Sequence, residues 1–470
     1  MAVLPFVPLA PTPGIGENCI HMDAKRAVLF ISILASFVSF LDASVTNVAL
    51  PAIMRDLGGG LSLQEWTVDA YLITLGSLIL IAGSLADVYG QRKILRYGLY
   101  GFAAASLLCA GALSGPFLIV SRALQGVAGA LLVPSSLSLI IATFKGEEQG
   151  RAIGTWTAWT SISFLIGPLM GGFLVDELSW RYIFLINILP IALALYLLST
   201  LRVAESRNTS RTIDIFGAIS CGVGLFGIVF SLIEEPNFGW VNPIIYVPGV
   251  VGIFALAVLF ANEKKRSDPM LPLSLFRVRN FAYGNLATVP IYASLSVSSF
   301  LIIIFLQQVA GFSALEAGLA LIPATAILFL LSSRFGSLSN VYGPRLFMTL
   351  GPLIAAAGFA FMLNVDDPIN YWTQFLPGIL MFGLGLSMTV APLTSAVLGS
   401  IDPANSGIGS AINNAVSRIA GLLAIALVGV VTGGTLNVDA FRRGVVLMAV
   451  LLILGGIISF LGIRNPAARA

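Results

Sequence analysis

Long apolar runs constrain the fold of this chain more than any other feature. A transmembrane helix needs about 20 largely apolar residues, and roughly fourteen such runs follow one another here. They lie near 27–51, 66–86, 94–114, 117–143, 151–175, 181–201, 213–234, 243–262, 280–308, 315–335, 346–364, 372–398, 406–433 and 443–463. Only 10% of the residues are charged, whereas soluble domains carry about 25%. The sequence therefore predicts an all-α polytopic membrane protein with about fourteen transmembrane helices.

The basic residues predict the orientation in the membrane. If the N-terminus is cytoplasmic, nineteen of the 25 lysines and arginines fall in cytoplasmic segments and four in outer segments. Cytoplasmic loops are the ones enriched in these residues. We therefore predict a multi-pass cell-membrane protein with both termini in the cytoplasm. The net charge of +3 gives no reason to expect a nucleic-acid partner.

The chain also repeats itself, weakly but in order. Residues 83–92 read GSLADVYGQR and residues 336–345 read GSLSNVYGPR. A second pair of glycine and proline positions, over 126–134 and 383–392, follows at a similar spacing. Internal repeats of this kind are typical of secondary transporters.

The repeat divides the chain into two six-helix bundles, over 27–201 and 280–463. Between them we expect two additional transmembrane helices over 202–262 and a basic cytoplasmic linker over 263–279. The predicted flanks are a disordered cytoplasmic N-terminus over 1–26 and a cytoplasmic tail over 464–470.

A charged hinge separates the second and third apolar runs. Its two glycines allow a tight turn, and its cations favour the anionic cytoplasmic surface. Its aspartate can cap or pair with those cations as the helices move. The residues that form this predicted conformational latch are Gly83, Asp87, Gly90, Arg92 and Lys93. The alternative is an ordinary cytoplasmic loop with turn glycines. The second copy has Asn340 in place of Asp87 and should be weaker.

Ionisable residues inside the apolar runs are candidates for function, because burial in a membrane is costly. Asp42 lies in the middle of the first run, which offers it no basic partner. It must be protonated, paired with another helix or next to a wet cavity. Arg122 lies in the fourth run with Gln125 nearby and can reach a partner helix or the outer surface. Asp69 in the second run faces an outward vestibule or is a carboxylate near a helix N-terminus.

Two further groups of residues complete the candidate site. The fifth run contains a proline and three glycines that predict a bent, closely packed gating helix: Gly167, Pro168, Gly171 and Gly172. A packing kink without a gating role is the alternative. The predicted substrate cavity is lined by Thr46, Gln125, Trp156, Asn413, Asn414 and Arg418.

These motifs together resemble the major facilitator superfamily. The hinge matches its G-x-L-A-D-x-x-G loop, and Arg122-Ala-Leu-Gln125-Gly126 matches its R-x-x-Q-G motif. Residues 41–51 match the L-D-x-x-(I/V)-x-N-V-A-L-P motif of the fourteen-span drug/proton antiporters. Residues 167–172 match the G-P-x-x-G-G motif associated with antiporters.

The resemblance implies a major facilitator fold and a monomeric, proton-coupled antiporter that exports lipophilic small molecules, cationic ones among them, by alternating access. It implies proton coupling at Asp42, Arg122 and Asp69. The alternatives are a transporter of one endogenous metabolite, lipid or peptide, and a membrane sensor that no longer transports. We expect no cofactor, no metal and no enzyme activity. Asp42 buried far from any cavity would contradict this interpretation.

Overall fold

A computed structural model describes residues 15–201, 213–266, 269, 271–402 and 406–465. The side chains of residues 15–23, 80, 87, 147, 406 and 407 are outside that description. The helices are α1 (Ile15–Leu57), α2 (Gly60–Tyr89), α3 (Gln91–Ala110), α4 (Gly115–Thr143), α5 (Gly146–Glu177), α6 (Tyr182–Leu185), α7 (Ile188–Thr200), α8 (Ile215–Phe238), α9 (Pro243–Glu263), α10 (Arg279–Gln308), α11 (Ala314–Ala320), α12 (Ile322–Tyr342), α13 (Pro344–Phe361), α14 (Leu376–Leu398), α15 (Ser406–Thr432) and α16 (Val438–Gly462).

The count of membrane-crossing helices differs from the prediction. Over the described residues, 12 helical segments are long and apolar enough to cross a membrane, so the expectation of fourteen is not supported. The runs predicted near 66–86 and 94–114 form α2 and α3 but are not among the 12. Arg92, Lys93 and Arg96, which open α3, lower the mean hydropathy of that helix.

The N-terminal prediction also needs correction. Helix α1 begins at Ile15, so residues 15–26 are helical and not disordered. Residues 1–14 lie outside the described part of the chain. So do 202–212, three residues of the predicted linker, 403–405 and 466–470. The remaining domain division stays a prediction.

The helices pack as two sets joined by a pair. Helices α1–α5 and α7 pack on one another, and we name α1–α7 the N-terminal half. Helices α10 and α12–α16 do the same, and we name α10–α16 the C-terminal half. Helix α8 packs on α9 and also contacts α2 and α15, one helix from each half.

The two hinge copies have matching backbone turns. Gly90 has a φ of 100° and Gly343 a φ of 83°, a region that other residues rarely adopt. The arginine after each glycine donates to the last carbonyls of a neighbouring helix: Arg92 to Leu201, and Arg345 to Phe460 at 2.7 Å. The backbone of Asp87 belongs to α2, and its side chain lies outside the description.

Hydrogen bonds between the halves cluster at one end of the molecule. Five of them lie where α1 and α5 end and α2 begins. They join Gln307 to the carbonyl of Val48 (2.9 Å), Gln308 to Met54, Ala314 and Leu315 to Asp176 (3.0 and 2.8 Å), and Gly429 to Glu65 (2.6 Å). This end, which the basic residues predict to be the outer one, is therefore closed.

Candidate functional site

The structure pairs Asp42 with Arg122. Helices α1 and α4 bring the Arg122 Nη1 atom 2.5 Å from the Asp42 Oδ2 atom, and neither side chain has more than 1% of its surface exposed. Asp42 therefore has the partner on another helix that its position required. Each charge compensates the other where water cannot.

Two amides complete the coordination of the Asp42 carboxylate. Gln125 Nε2 and Asn187 Nδ2 each donate to the Asp42 Oδ1 atom at 2.8 Å. Gln125 also accepts from Arg122 at 2.6 Å and donates to Ser106 at 3.0 Å. Sequence reasoning missed Asn187 and Ser106, although each is a polar residue inside an apolar run. Their side of the helix could not be inferred from the order of residues alone.

Aromatic rings and backbone enclose the rest of the guanidinium. Arg122 Nε donates to the Thr67 carbonyl at 3.0 Å. The guanidinium carbon lies 4.5 Å from the centre of the Tyr71 ring and 5.7 Å from that of Phe184. Cation–π contacts of this kind strengthen when they are desolvated. Tyr71 is itself held by a 2.9 Å hydrogen bond to Ser39.

A glycine allows α4 to come this close to α2. A Cβ at Gly126 would lie 2.2 Å from the carbonyl oxygen of Tyr71 and from the hydroxyl of Thr74. The order arginine, glutamine, glycine thus has a physical reason: the glycine brings α4 against α2, and the two polar side chains then reach α1 and α3.

The ion pair is sealed in this conformation. Asp42 has no exposed surface, so protons cannot reach it without movement. Tyr71, whose ring lies 4.5 Å from the Arg122 guanidinium carbon, is itself buried and covers the pair on this side.

Asp69 occupies neither of its predicted environments. It is fully buried, so it does not line an open vestibule. It is also more than two turns from the start of α2 at Gly60. Neither carboxylate oxygen of Asp69 has a hydrogen-bond partner among the described residues. Glu65, one turn earlier, is buried as well.

The predicted cavity residues separate into two groups. Thr46 donates to the backbone of its own helix at Asp42, and Gln125 belongs to the ion-pair network. Both are buried and do not line a cavity in this conformation, so their place in the substrate cavity stays a prediction. Their short polar groups find partners within the N-terminal half.

The other predicted cavity residues keep some exposure. Trp156 donates to Ser36 at 3.0 Å, Asn413 to Asn285 at 3.1 Å and to Thr288 at 2.9 Å, and Asn414 to the Ser410 carbonyl at 3.1 Å. The Arg418 guanidinium carbon lies 5.5 Å from the centre of the Phe40 ring on α1. Arg418 thus reaches from the C-terminal half to the helix that carries Asp42.

Helix α5 contacts both halves through its glycines. A Cβ at Gly167 would lie 2.4 Å from the Ser44 hydroxyl, and one at Gly171 would lie 3.1 Å from the Val45 carbonyl, both on α1. A Cβ at Gly172 would lie 2.4 Å from the Cα of Leu315 on α11. The helix runs unbroken through Pro168 from Gly146 to Glu177. It therefore links the helix of Asp42 to the contact between the halves.

A buried ion pair inside one of two similar helical halves is an arrangement typical of membrane transporters. The sequence profile of the Major Facilitator Superfamily matches residues 32–425. The chain belongs to this superfamily, whose members transport small molecules across lipid bilayers and are not enzymes.

Characterised relatives cover most of the chain. It is 31% identical to the methylenomycin A resistance protein of Bacillus subtilis over 86% of this chain and 87% of that protein. It is 32% identical to the puromycin resistance protein pur8 of Streptomyces alboniger (91% and 86%) and 31% identical to the multidrug resistance protein Stp of Mycobacterium tuberculosis (86% and 75%).

Solved structures share the fold. A peptide transporter (POT) structure superposes with a TM-score of 0.70 at 17% identity, over 92% of this chain and 93% of that one. A D-xylose-proton symporter superposes with a TM-score of 0.66 at 15% identity, over 93% and 98%.

Proposed function

We propose that the protein exports lipophilic drugs from the cell by alternating access, in exchange for protons. The observation that carries the proposal is the sealed Asp42–Arg122 pair, an ionisable couple between two helices of one half. Relatives named for resistance to methylenomycin A, to puromycin and to several drugs support the drug as substrate.

Protonation of Asp42 supplies the switch. The ionised pair is electrically neutral as a unit. A proton on Asp42 leaves the Arg122 charge buried without compensation, a change worth several kcal/mol. That is enough to move a two-state equilibrium by a few orders of magnitude. The pair must then open or separate, which brings Asp42 into contact with water.

Helix α5 connects the Asp42–Arg122 pair to the contact between the two halves. Gly167 and Gly171 fix α5 to α1 next to Asp42, and Gly172 fixes it to α11 across the interface. A shift of α1 relative to α4 therefore changes the contact that closes the outer end. Asp69, buried without a hydrogen-bond partner, is the second proton site of the proposal.

Arg418 influences which charge a substrate can carry. It faces Phe40 across the interface of the halves, and among the described residues no carboxylate pairs with it. Its positive charge opposes a cationic substrate at this level and attracts an acidic or neutral, electron-rich one. We therefore place neutral and acidic lipophilic drugs ahead of the cations that the sequence suggested.

Transport by purified protein in liposomes tests the proposal. With an imposed pH gradient, a neutral, an acidic and a cationic lipophilic drug are offered in turn, and drug and proton fluxes are recorded together. The proposal predicts drug movement against its gradient with proton flux in the opposite direction. Movement of one narrow substrate without proton flux favours the metabolite transporter. No movement of any compound favours the sensor.

The remaining expectations belong to the same proposal. Both termini are cytoplasmic, as the basic residues indicate, and the closed end is the outer one. The transporter works as a monomer, because one chain supplies both halves of the alternating-access pair.

A further inference from the structure

Glu65 joins the two halves at the closed end. Its Oε1 atom accepts a hydrogen bond from the backbone N–H of Gly429 on α15 at 2.6 Å, and its side chain has no exposed surface. A Cβ at position 429 would lie 3.1 Å from both carboxylate oxygens. A side chain at position 429 would therefore press against the Glu65 carboxylate.

The surroundings of Glu65 are acidic. Its second oxygen, Oε2, has no hydrogen-bond partner among the described residues, and neither do the two oxygens of Asp69 one turn away. Glu234 faces it from α8 and accepts from Trp66 at 2.7 Å and from Ser62 at 3.0 Å. Three carboxylates thus lie together where α2, α8 and α15 meet.

Two cations near Glu65 are engaged elsewhere, and a third, Arg55 at the end of α1, is exposed. Arg122 on α4 is paired with Asp42 of α1. Arg443 on α16 donates to the last carbonyls of α15. Residues 419–432 of α15 contain no ionisable side chain, and in the last two turns of α3 the ionisable residue is Cys109, which donates to Gln125. None of these described groups neutralises Glu65.

We propose that Glu65 is a proton-dependent latch, so that the outer end closes only after Glu65 has bound a proton from the outer solution. An ionised, buried carboxylate with one hydrogen bond and acidic neighbours is costly, whereas a protonated one is not charged. When the halves separate, water reaches Glu65 and stabilises its ionised form. High outer proton concentration therefore favours closure. The latch rests on the proposed alternating access, but the proton that operates it need not cross the membrane.

A second carboxylate across the same interface provides a matched control. Asp176 on α5 accepts from the backbone of Ala314 and Leu315 at 3.0 and 2.8 Å, and it is exposed. Because water and two N–H groups stabilise its charge, Asp176 can close the interface while ionised. Its contact strengthens closure without requiring a proton.

Distance measurements between spin labels at the outer end test the latch without any transport assay. Leu178 and Leu363, both exposed and in different halves, are replaced by labelled cysteines. Cys19 is replaced by Ser, and the native Cys109 and Cys221 are buried. Electron–electron double resonance in lipid nanodiscs is recorded from about pH 5 to about pH 9.

The wild-type protein should lose its short, closed distance as the pH rises. Glu65→Gln should keep the short distance at every pH, because the amide oxygen still accepts from Gly429 and carries no charge. Asp176→Asn should lower the closed fraction at every pH and still respond to pH. A wild-type distance that ignores pH, an E65Q variant that titrates like the wild type, or a D176N variant that has lost its pH response would overturn the latch.

The proposed function can fail separately. If liposomes show no proton-driven drug export but E65Q abolishes the pH response of the distance, the latch stands and the antiport does not. If liposomes show proton-driven drug export but E65Q keeps the wild-type pH response of the distance, the latch at Glu65 is wrong and the antiport stands.

Discussion

The two halves share a close contact between helices but differ in the side chains that fill their interiors. Gly126 packs against the backbone of Tyr71, and its counterpart Gly383 packs in the same way against Ala324, with a Cβ-to-Cα separation of 2.6 Å. Four residues before Gly126 stands Arg122, and four before Gly383 stands Ile379. The same helix contact therefore carries a buried charge in one half and an aliphatic side chain in the other.

The difference extends to the surrounding residues. Next to Gly383, Phe382 packs on Phe359 with ring centres 4.8 Å apart and tilted by 47°, where the N-terminal half has Gln125. Phe305 stacks on Phe441 at 4.0 Å inside the C-terminal half. A dry aromatic core has a fixed packing, whereas an ion pair has two protonation states. The comparison teaches that the ionisable interior belongs to the N-terminal half, which is where the proposal puts the switch.

The most severe test of this comparison removes one member of the ion pair. Arg122→Met should lower the free energy of unfolding by about 3–5 kcal/mol, because it leaves Asp42 buried without its cation. The double variant D42N/R122M should recover most of that loss, since no charge then remains. Thermal unfolding in detergent measures both. Equal destabilisation of the single and double variants would show that the pair is not the source of the loss.

The contact between α5 and α11 comes next in expected effect. Gly172→Val should prevent closure of the outer end and abolish export, because even a Cβ would lie 2.4 Å from the backbone of Leu315. Gly154→Ala on the same helix is the control, since nothing lies within 4 Å of its Cβ. Export by proteoliposomes and the outer-end distance measure the result. Normal export by G172V would show that the contact between α5 and α11 is not needed to close the outer end.

The polar contacts of the C-terminal half should matter less. Asn413→Ala removes hydrogen bonds to Asn285 and Thr288 and should lower the free energy of unfolding by about 1 kcal/mol. The proton dependence of export should not change, because these groups are not ionisable. Thermal unfolding and the pH profile of export check the two statements. A shifted pH profile would give the C-terminal half a part in coupling.

The smallest effect is expected at the second hinge. Arg345→Ala removes a hydrogen bond to the Phe460 carbonyl at a partly exposed site, a change worth roughly 0.5–1.5 kcal/mol of stability. Export should continue. Loss of export without loss of stability would make the second hinge a true latch, in spite of Asn340.

The sequence was sufficient to identify functional residues whose role can be inferred from their own helix. Asp42 was identifiable because a carboxylate inside an apolar run needs a partner, and Arg122 because it stands before a glutamine and a glycine. Asn187 and Ser106 were not, because their role depends on which faces of α3 and α7 meet the ion pair. The count of fourteen spans is not supported, since 12 helical segments of the described residues are long and apolar enough to cross a membrane. Glu65 was not identified either, because its contact with Gly429 depends on the approach of α15.

Proton-driven drug accumulation by Asp42→Asn tests the central claim most directly. Asparagine keeps the size of the side chain and an oxygen that can accept from Arg122, but it cannot release a proton. In proteoliposomes with an imposed pH gradient, the wild type should accumulate drug against its gradient, and D42N should only equilibrate it. Because Arg122 then lacks its counter-charge, D42N should still fold but unfold at a lower temperature than the wild type. Undiminished, pH-dependent accumulation by D42N would contradict the account.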